Sequence, residues 1–479
     1  MSAVVTAPRV RKERVATAPA GHASGIAVTA LAATFGVALL QGTGLIAAAI
    51  GADPVTGGSD TVGLLLQLTG LVFVVIAVYA SAVVTTNTFA VIVAGRVRMI
   101  ALKRLLGSTA AAERRAVARE GLIVGTIGAA IGLVAGTAAV AALLGIARLL
   151  GEFDGVPYSF ANPAALLPAL AVLLTTWLAA RIGSRRVLAV TPMQALGGAE
   201  EASEQESRAG RARAVVALAL LLLGILLLAA GLVVGADDFS GLLIAFAGGV
   251  VSFTGIVLGA HLVIPRALRL AGRLMGSSPT ARLAAENAVR YPLRSTRSTV
   301  GLLVSVTLIT TFGVAIRTFG DMIKAAAGAD AVYYAGIDSS LNLVIVVFSV
   351  LIGFSAVIAG AGLVNSLSLG VLQRTRELGL LRALGFSSRQ LRRMVLAESG
   401  QLVLTAVVLG LALGTVYGWA GAHAMLGAAP GMPGLLFVGV PWPLVAAVVV
   451  GGLLLTAIAS VAPSRRATRV SPVEALGVD

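Results

Sequence analysis

Apolar runs of about 20 residues recur along the whole chain, each long enough to cross a hydrocarbon layer roughly 30 Å thick. In lipid every backbone N–H and C=O must find its partner within the protein. The runs are too long and continuous for barrel strands, so they predict helices. Ten spans are expected, near 25–50, 62–93, 121–147, 161–181, 214–235, 241–264, 298–317, 341–372, 395–424 and 438–462. The chain is 58% hydrophobic and only 12% charged, with a mean hydropathy of +0.97. A soluble domain carries about 25% charged residues, so the expected class is an all-α integral membrane protein. The first run follows Arg9, Arg11, Lys12 and Arg14 and has no small-residue cleavage site, so it is expected to remain a membrane helix.

The formal net charge of +15 would point to nucleic acid in a soluble protein, but its placement says otherwise. With the amino terminus in the cytoplasm, all but Arg148, Arg317 and Lys324 of the 36 lysines and arginines fall on that side. That is the positive-inside pattern; it predicts a multi-pass plasma-membrane protein with both termini cytoplasmic. The charge then meets lipid headgroups, not nucleic acid. The outer loops are short and mildly acidic. The longest, about 318–340, has room for one small surface helix.

A shift of 278 residues superposes Asn87 on Asn365, Arg96 on Arg374, Arg98 on Arg376, Arg104 on Arg382 and Gly107 on Gly385. It also pairs Arg114 and Arg115 with Arg392 and Arg393, Glu120 with Glu398, and Gly132 and Gly136 with Gly410 and Gly414. A shift of 280 matches Ser184-Arg185-Arg186 to Ser464-Arg465-Arg466. Rare charged residues do not align this way by chance in so apolar a chain, so the chain is a tandem duplication. Each copy holds four spans and two more lie between. The copies therefore point the same way, in a 4+2+4 arrangement. The expected divisions are a basic tail (1–24), a first repeat (25–200), a linker (201–213), two connecting spans (214–265), a cytoplasmic segment with an interfacial helix (266–297) and a second repeat (298–479). Within 280–297, Leu283 is expected to face inward and Pro292 to end the surface helix.

The loop after the eighth span reads Arg374-Thr375-Arg376-Glu377-Leu378-Gly379-Leu380-Leu381-Arg382-Ala383-Leu384-Gly385. Leu378, Leu381 and Leu384 recur at helical spacing among arginines, which predicts a short amphipathic cytoplasmic helix ended by Gly385. Glu120 and Glu398 are expected at the starts of the following spans, where the helix dipole favours a carboxylate. Glycine stripes at Gly128, Gly132 and Gly136 and at Gly410, Gly414 and Gly418 allow close helix approach, as do Gly121 and Gly125.

The string N-x8-R-T-R-E-L-G-L-L-R-A-L-G from Asn365, the glutamate opening the next span, and the closing S-R-R-A-T-R-V-S-P-V-E-A-L from Ser464 resemble the FtsX-like permease domain of MacB-type ABC transporters. The resemblance covers roughly 60–200 and 280–477. It implies that the loop between the second and third helices of each unit docks on an ATPase subunit, two copies per chain, with ATP and Mg held by that partner and no cofactor in this chain. Carried over, it marks Arg374, Arg376, Glu377, Arg382, Gly385, Arg392, Arg393 and Glu398, and in the first repeat Arg96, Arg98, Arg104, Gly107, Arg114, Arg115 and Glu120. The first copy departs at Met99, opposite Glu377, and at Ala101, opposite Gly379, so docking of unequal strength is expected.

The chain has no phosphate-binding G-x4-G-K-[ST] loop, because Lys12, Lys103 and Lys324 are followed by Glu13, Arg104 and Ala325. Cysteine is absent and the three histidines, His22, His261 and His423, lack ligand spacing, so no metal site is expected. The leading expectation is a permease that exports or extracts apolar or amphipathic substrates such as lipids, peptides or drugs in a bacterial plasma membrane. Its competitors are a regulator relaying ATPase motion to a cell-envelope partner and an ion-coupled secondary transporter.

Overall fold

The computed structural model describes residues 20–52, 102–149, 158–189, 204–274, 292–326, 384–428 and 434–469, with scattered positions within 63–86 and at 156, 283, 285, 286, 381 and 382. Every regular element among them is helical. In chain order these are α1 (Ala20–Ala52), α2 (Ala110–Leu149), a 3-10 turn (Pro163–Ala165), α3 (Leu166–Ala189), α4 (Glu204–Val234), α5 (Gly241–Leu274), α6 (Pro292–Ala326), α7 (Ser388–Leu426) and α8 (Trp442–Arg469). Seven described helices are long and apolar enough to cross a membrane, and the apolar part of α8, Trp442–Ile458, is a shorter eighth. The expected spans 62–93 and 341–372 lie largely or wholly outside the described residues.

Two boundaries differ from expectation. Pro292 opens α6 instead of only closing a surface helix, because a proline at the first helical position forfeits an N–H that has no intrahelical acceptor there. Residues 293–297 thus belong to the long helix. At its other end α6 runs past Arg317 to Ala326, and the Arg317 Nε to Asp321 Oδ2 pair at 3.1 Å spans one turn of that extension.

The two repeats pack alike. In the first, α2 lies against α1 and α3; in the second, α7 lies against α6 and α8. A Cβ on Gly128 would collide with Thr29 and reach the Ala30 amide, one on Gly132 would overlap Ala33 and the Thr34 and Ala30 backbone, and one on Gly136 would press on Thr34 O and Val37. Gly410, Gly414 and Gly418 meet Val306 and Thr307, then Thr307, Thr310 and Thr311, then Thr311, Val314 and Ala315, in the same order along the facing helix. Threonine hydroxyls at these seams donate to their own helix four residues back, Thr29 to Gly25 O at 2.7 Å and Thr310 to Val306 O at 2.8 Å. These two hydroxyls are thus satisfied where no water is available, whereas the buried Thr307 hydroxyl of the second seam has no hydrogen-bond partner among the described residues.

This packing corrects the sequence pairing of Gly132 and Gly136 with Gly410 and Gly414. By contact, Gly128 corresponds to Gly410 and Gly132 to Gly414. The stripe therefore begins one helical turn, about 6 Å, farther from Gly385 in the second repeat than from Gly107 in the first.

The connecting helices α4 and α5 form an antiparallel pair closed by Gly224 on Ser252 and Gly231 on Ala245. Helix α5 lies between the repeats: its Phe253, Ile264 and Leu268 share one core with Phe35 and Leu39 of α1, Val300 and Val304 of α6 and Leu402 and Val407 of α7. Tyr79 and Thr254 hydroxyls meet at 2.9 Å and those of Ser252 and Tyr417 at 3.0 Å, which ties both repeats to α5 by polar rungs. Helix α4 turns Leu218, Leu222, Leu226 and Val233 outward, as a peripheral helix facing lipid does.

Candidate functional site

The two loops singled out by sequence fold as matching elbows. In the first, a helical turn over 102–105 ends at Gly107, with φ +100°. The Gly107 N–H donates to Arg104 O at 3.1 Å and the Ser108 N–H to Lys103 O at 3.0 Å. In the second, Gly385 has φ +94°, its N–H donates to Arg382 O at 3.0 Å, and Phe386 N–H donates to Leu381 O at 3.0 Å. This paired closure needs a left-handed residue, which glycine adopts without a Cβ penalty. Gly107 and Gly385 are the positive-φ glycines among the described residues.

Each elbow restarts as a long helix at once. Thr109 caps α2, accepting from Ala112 N–H at 3.2 Å. Ser387, at the equivalent place, caps α7 with a full capping box, accepting from Gln390 N–H while Gln390 Oε1 accepts from Ser387 N–H at 2.8 Å. These caps start the helices well ahead of Glu120 and Glu398. Both carboxylates therefore stand about three turns inside and not at helix starts, beyond the reach of the terminal dipole. Glu398 is 7% exposed, amid buried Ser399, Gln401 and Thr405.

The inner sides of the elbows carry opposite chemistry at equivalent positions. In the first, Glu113 is buried, accepts from the Ser108 hydroxyl at 2.8 Å and faces Lys103 Nζ at 4.0 Å. In the second, Leu381, Phe386 and Leu391 replace those three residues and pack with Met394, Ala397 and Leu283. Leu283 thus faces inward, as expected.

The outer sides agree. Leu106 and Leu384, each just before its glycine, are 89% and 78% exposed. Sequence periodicity puts Leu384 on the same apolar face as Leu381; the turn into Gly385 directs it outward instead. Their equivalence at the 278-residue shift is the signal in the sequence that marks them. Arg115, Arg392 and Arg393 are exposed on the first turns of the long helices, Arg114 is partly buried, and Arg104 and Arg382 are partly buried and engaged by partners. Arg96, Arg98, Arg374, Arg376 and Glu377 lie outside the described residues. Each elbow thus presents a leucine and nearby guanidinium groups, suited to an apolar socket rimmed by carboxylates.

The FtsX-like permease C-terminal family matches residues 71–192 and 349–472, just over half of the chain, and each match contains one elbow. The chain belongs to the FtsX-like permease family. Among curated relatives, the uncharacterized ABC transporter permease YknZ of Bacillus subtilis is 30% identical over 142 residues, 30% of this chain and 34% of that protein. The ABC transporter permease YtrF of Bacillus subtilis is 31% identical over 163 residues, 31% of this chain and 37% of that protein. An uncharacterized ABC transporter permease of Methanocaldococcus jannaschii is 30% identical over 144 residues, 29% and 34% of the two chains. The chain thus spans about a third of the length of the curated relatives it matches. Helices α4, α5 and α6 fall between the two FtsX-like matches.

Proposed function

We propose that the chain is the membrane-spanning permease subunit of an ABC transporter, driven by ATP and Mg bound on separate ATPase subunits that seat on the two elbows. The observation that carries this reading is the recurrence of one elbow geometry, with Gly107 and Gly385 in the same left-handed state and Leu106 and Leu384 both projecting outward. Two like ATPases under the membrane need two like seats, and a parallel duplication supplies them. The elbows open directly into α2 and α7, of 40 and 39 residues, rigid rods of about 60 Å that carry motion past the bilayer. Relatives named as ABC transporter permeases support the assignment.

Apolar or amphipathic molecules that reach the protein laterally from the bilayer are the substrates that fit. The charge placement supports cytoplasmic termini, and the family supports a plasma-membrane location.

The test is co-purification of a cognate ATPase with Leu106→Asp and Leu384→Asp chains. Both leucines are exposed, so stability stays within about 0.5 kcal/mol. Binding is expected to fall with each single change and to be lost in the double. Full retention by the folded double variant refutes the docking assignment.

A further inference from the structure

The sequence 427–442, between α7 and α8, contains no charged residue, whereas the corresponding loop of the first repeat carries Glu152 and Asp154. Its described part is held from two sides. The Trp419 indole N–H donates to Leu436 O at 2.8 Å, and the Leu436 N–H donates to His423 Nε2 at 3.1 Å, with His423 Nδ1 on Trp419 O at 2.9 Å. On the opposite side Gly439 lies against the Arg317–Asp321 pair of α6, where a Cβ would strike Asp321. A segment clamped by backbone bonds would be free to tuck its apolar side chains inward, yet Phe437 is 100% exposed, Leu435 71% and Trp442 73%. The clamps hold these groups out.

Resting on the orientation of the proposed function, which places this end of α7 outside, we infer that residues 435–442 form a wedge in the outer leaflet, with Phe437 among lipid acyl chains and Trp442 at the interface. Three observations commit the surface to lipid and not to a soluble partner. The loop is continuous with α8, which turns Val449, Val450, Leu453 and Leu454 outward as a lipid-facing helix does. Whereas a protein interface is ringed by polar residues, the loop's own residues carry no charge, and the Arg317–Asp321 pair borders it at Gly439. It pairs an aromatic belt residue with apolar neighbours at the level where a span ends. The first repeat has no equivalent among the described residues: there Tyr158 turns inward and donates to Gln41 O at 2.8 Å. The lipid contact belongs to the second repeat, beside the seam between α6 and α7.

The chain has no cysteine, so single labels report cleanly. In full-length protein reconstituted in phospholipid vesicles, a spin label at Phe437→Cys is expected to collide with oxygen and to be several-fold less accessible to an aqueous nickel chelate than a label at Ser159→Cys in the first outer loop. Equal nickel access at the two sites overturns the wedge, and so does shielding of the Phe437→Cys label from both colliders, which signals a protein cover. An impermeant maleimide on Ser159→Cys reports orientation separately. Labelling only after permeabilisation refutes the topology while leaving the depth comparison to stand or fall alone. Trp419→Phe in the Phe437→Cys background is expected to loosen the label; unchanged mobility refutes the clamp.

Discussion

Glu113 and Leu391 hold the same position in the two elbows, one by accepting a hydrogen bond from Ser108 and the other by burial against Phe386. The backbone they secure is alike, so the fold solves one geometric demand with two kinds of force. The two solutions respond differently to solvent.

Raising salt from about 0.1 to about 1 M shortens the screening length from roughly 10 to roughly 3 Å and weakens exposed ion pairs. Lys103 is half exposed, so its pair with Glu113 is worth about 0–1 kcal/mol. Hydrogen exchange at Gly107 and Ser108 is expected to quicken in high salt while Gly385 and Phe386 stay unchanged. Leu391→Ala, which opens a cavity worth about 2–5 kcal/mol, should reverse the order.

A Cβ added at either elbow glycine would meet nothing within 4 Å, so substitution there strains the backbone alone. Gly107→Ala and Gly385→Ala should each cost about 1–2 kcal/mol of local stability, and the asparagine variants less, because asparagine tolerates the left-handed region. Thermal unfolding of the purified protein in detergent checks the ranking.

Along the stripes the cost is steric. Gly132→Ala and Gly414→Ala force a methyl onto facing backbone and should destabilise by about 1–3 kcal/mol. Gly145→Ala on the same α2, with nothing near it, should be neutral or stabilise by up to about 1 kcal/mol. Equal effects at Gly132 and Gly145 would contradict the packing described.

Burial pushes the Tyr158 phenol up to about 12 from an ordinary value of 10. The folded state holds that proton more tightly than the unfolded chain does. Its contribution is therefore fully present below pH 10 and declines as pH rises through 12. Tyr158→Phe removes this component, so the variant's stability should fall less steeply between pH 10 and 12, read as the midpoint of thermal unfolding.

The helical class, the span positions among the described residues and the duplication were legible, because they rest on long apolar runs and on rare charges such as Arg104 and Arg382 recurring at one spacing. Gly385 was legible as a helix end, and Gly107 as its match at the 278-residue shift, since the left-handed closure is a local demand. Less accessible were facts set by three-dimensional context. Leu384 looks like a core residue by period and is an outward tip, because periodicity does not survive the turn into glycine. Glu120 and Glu398 read as helix starts because hydropathy marks where lipid begins, whereas Thr109 and Ser387 mark where the helix begins. The glycine register slips by a turn, since residues every four along a helix match equally well at neighbouring offsets until a facing helix selects one.

The longer reach from Gly385 to Gly410 than from Gly107 to Gly128 would give the molecule unequal crank arms if each glycine seam served as a pivot. Pushing both elbow ends through one distance would then turn α7 through a smaller angle than α2. A perfectly symmetric engine below would therefore drive a lopsided movement above.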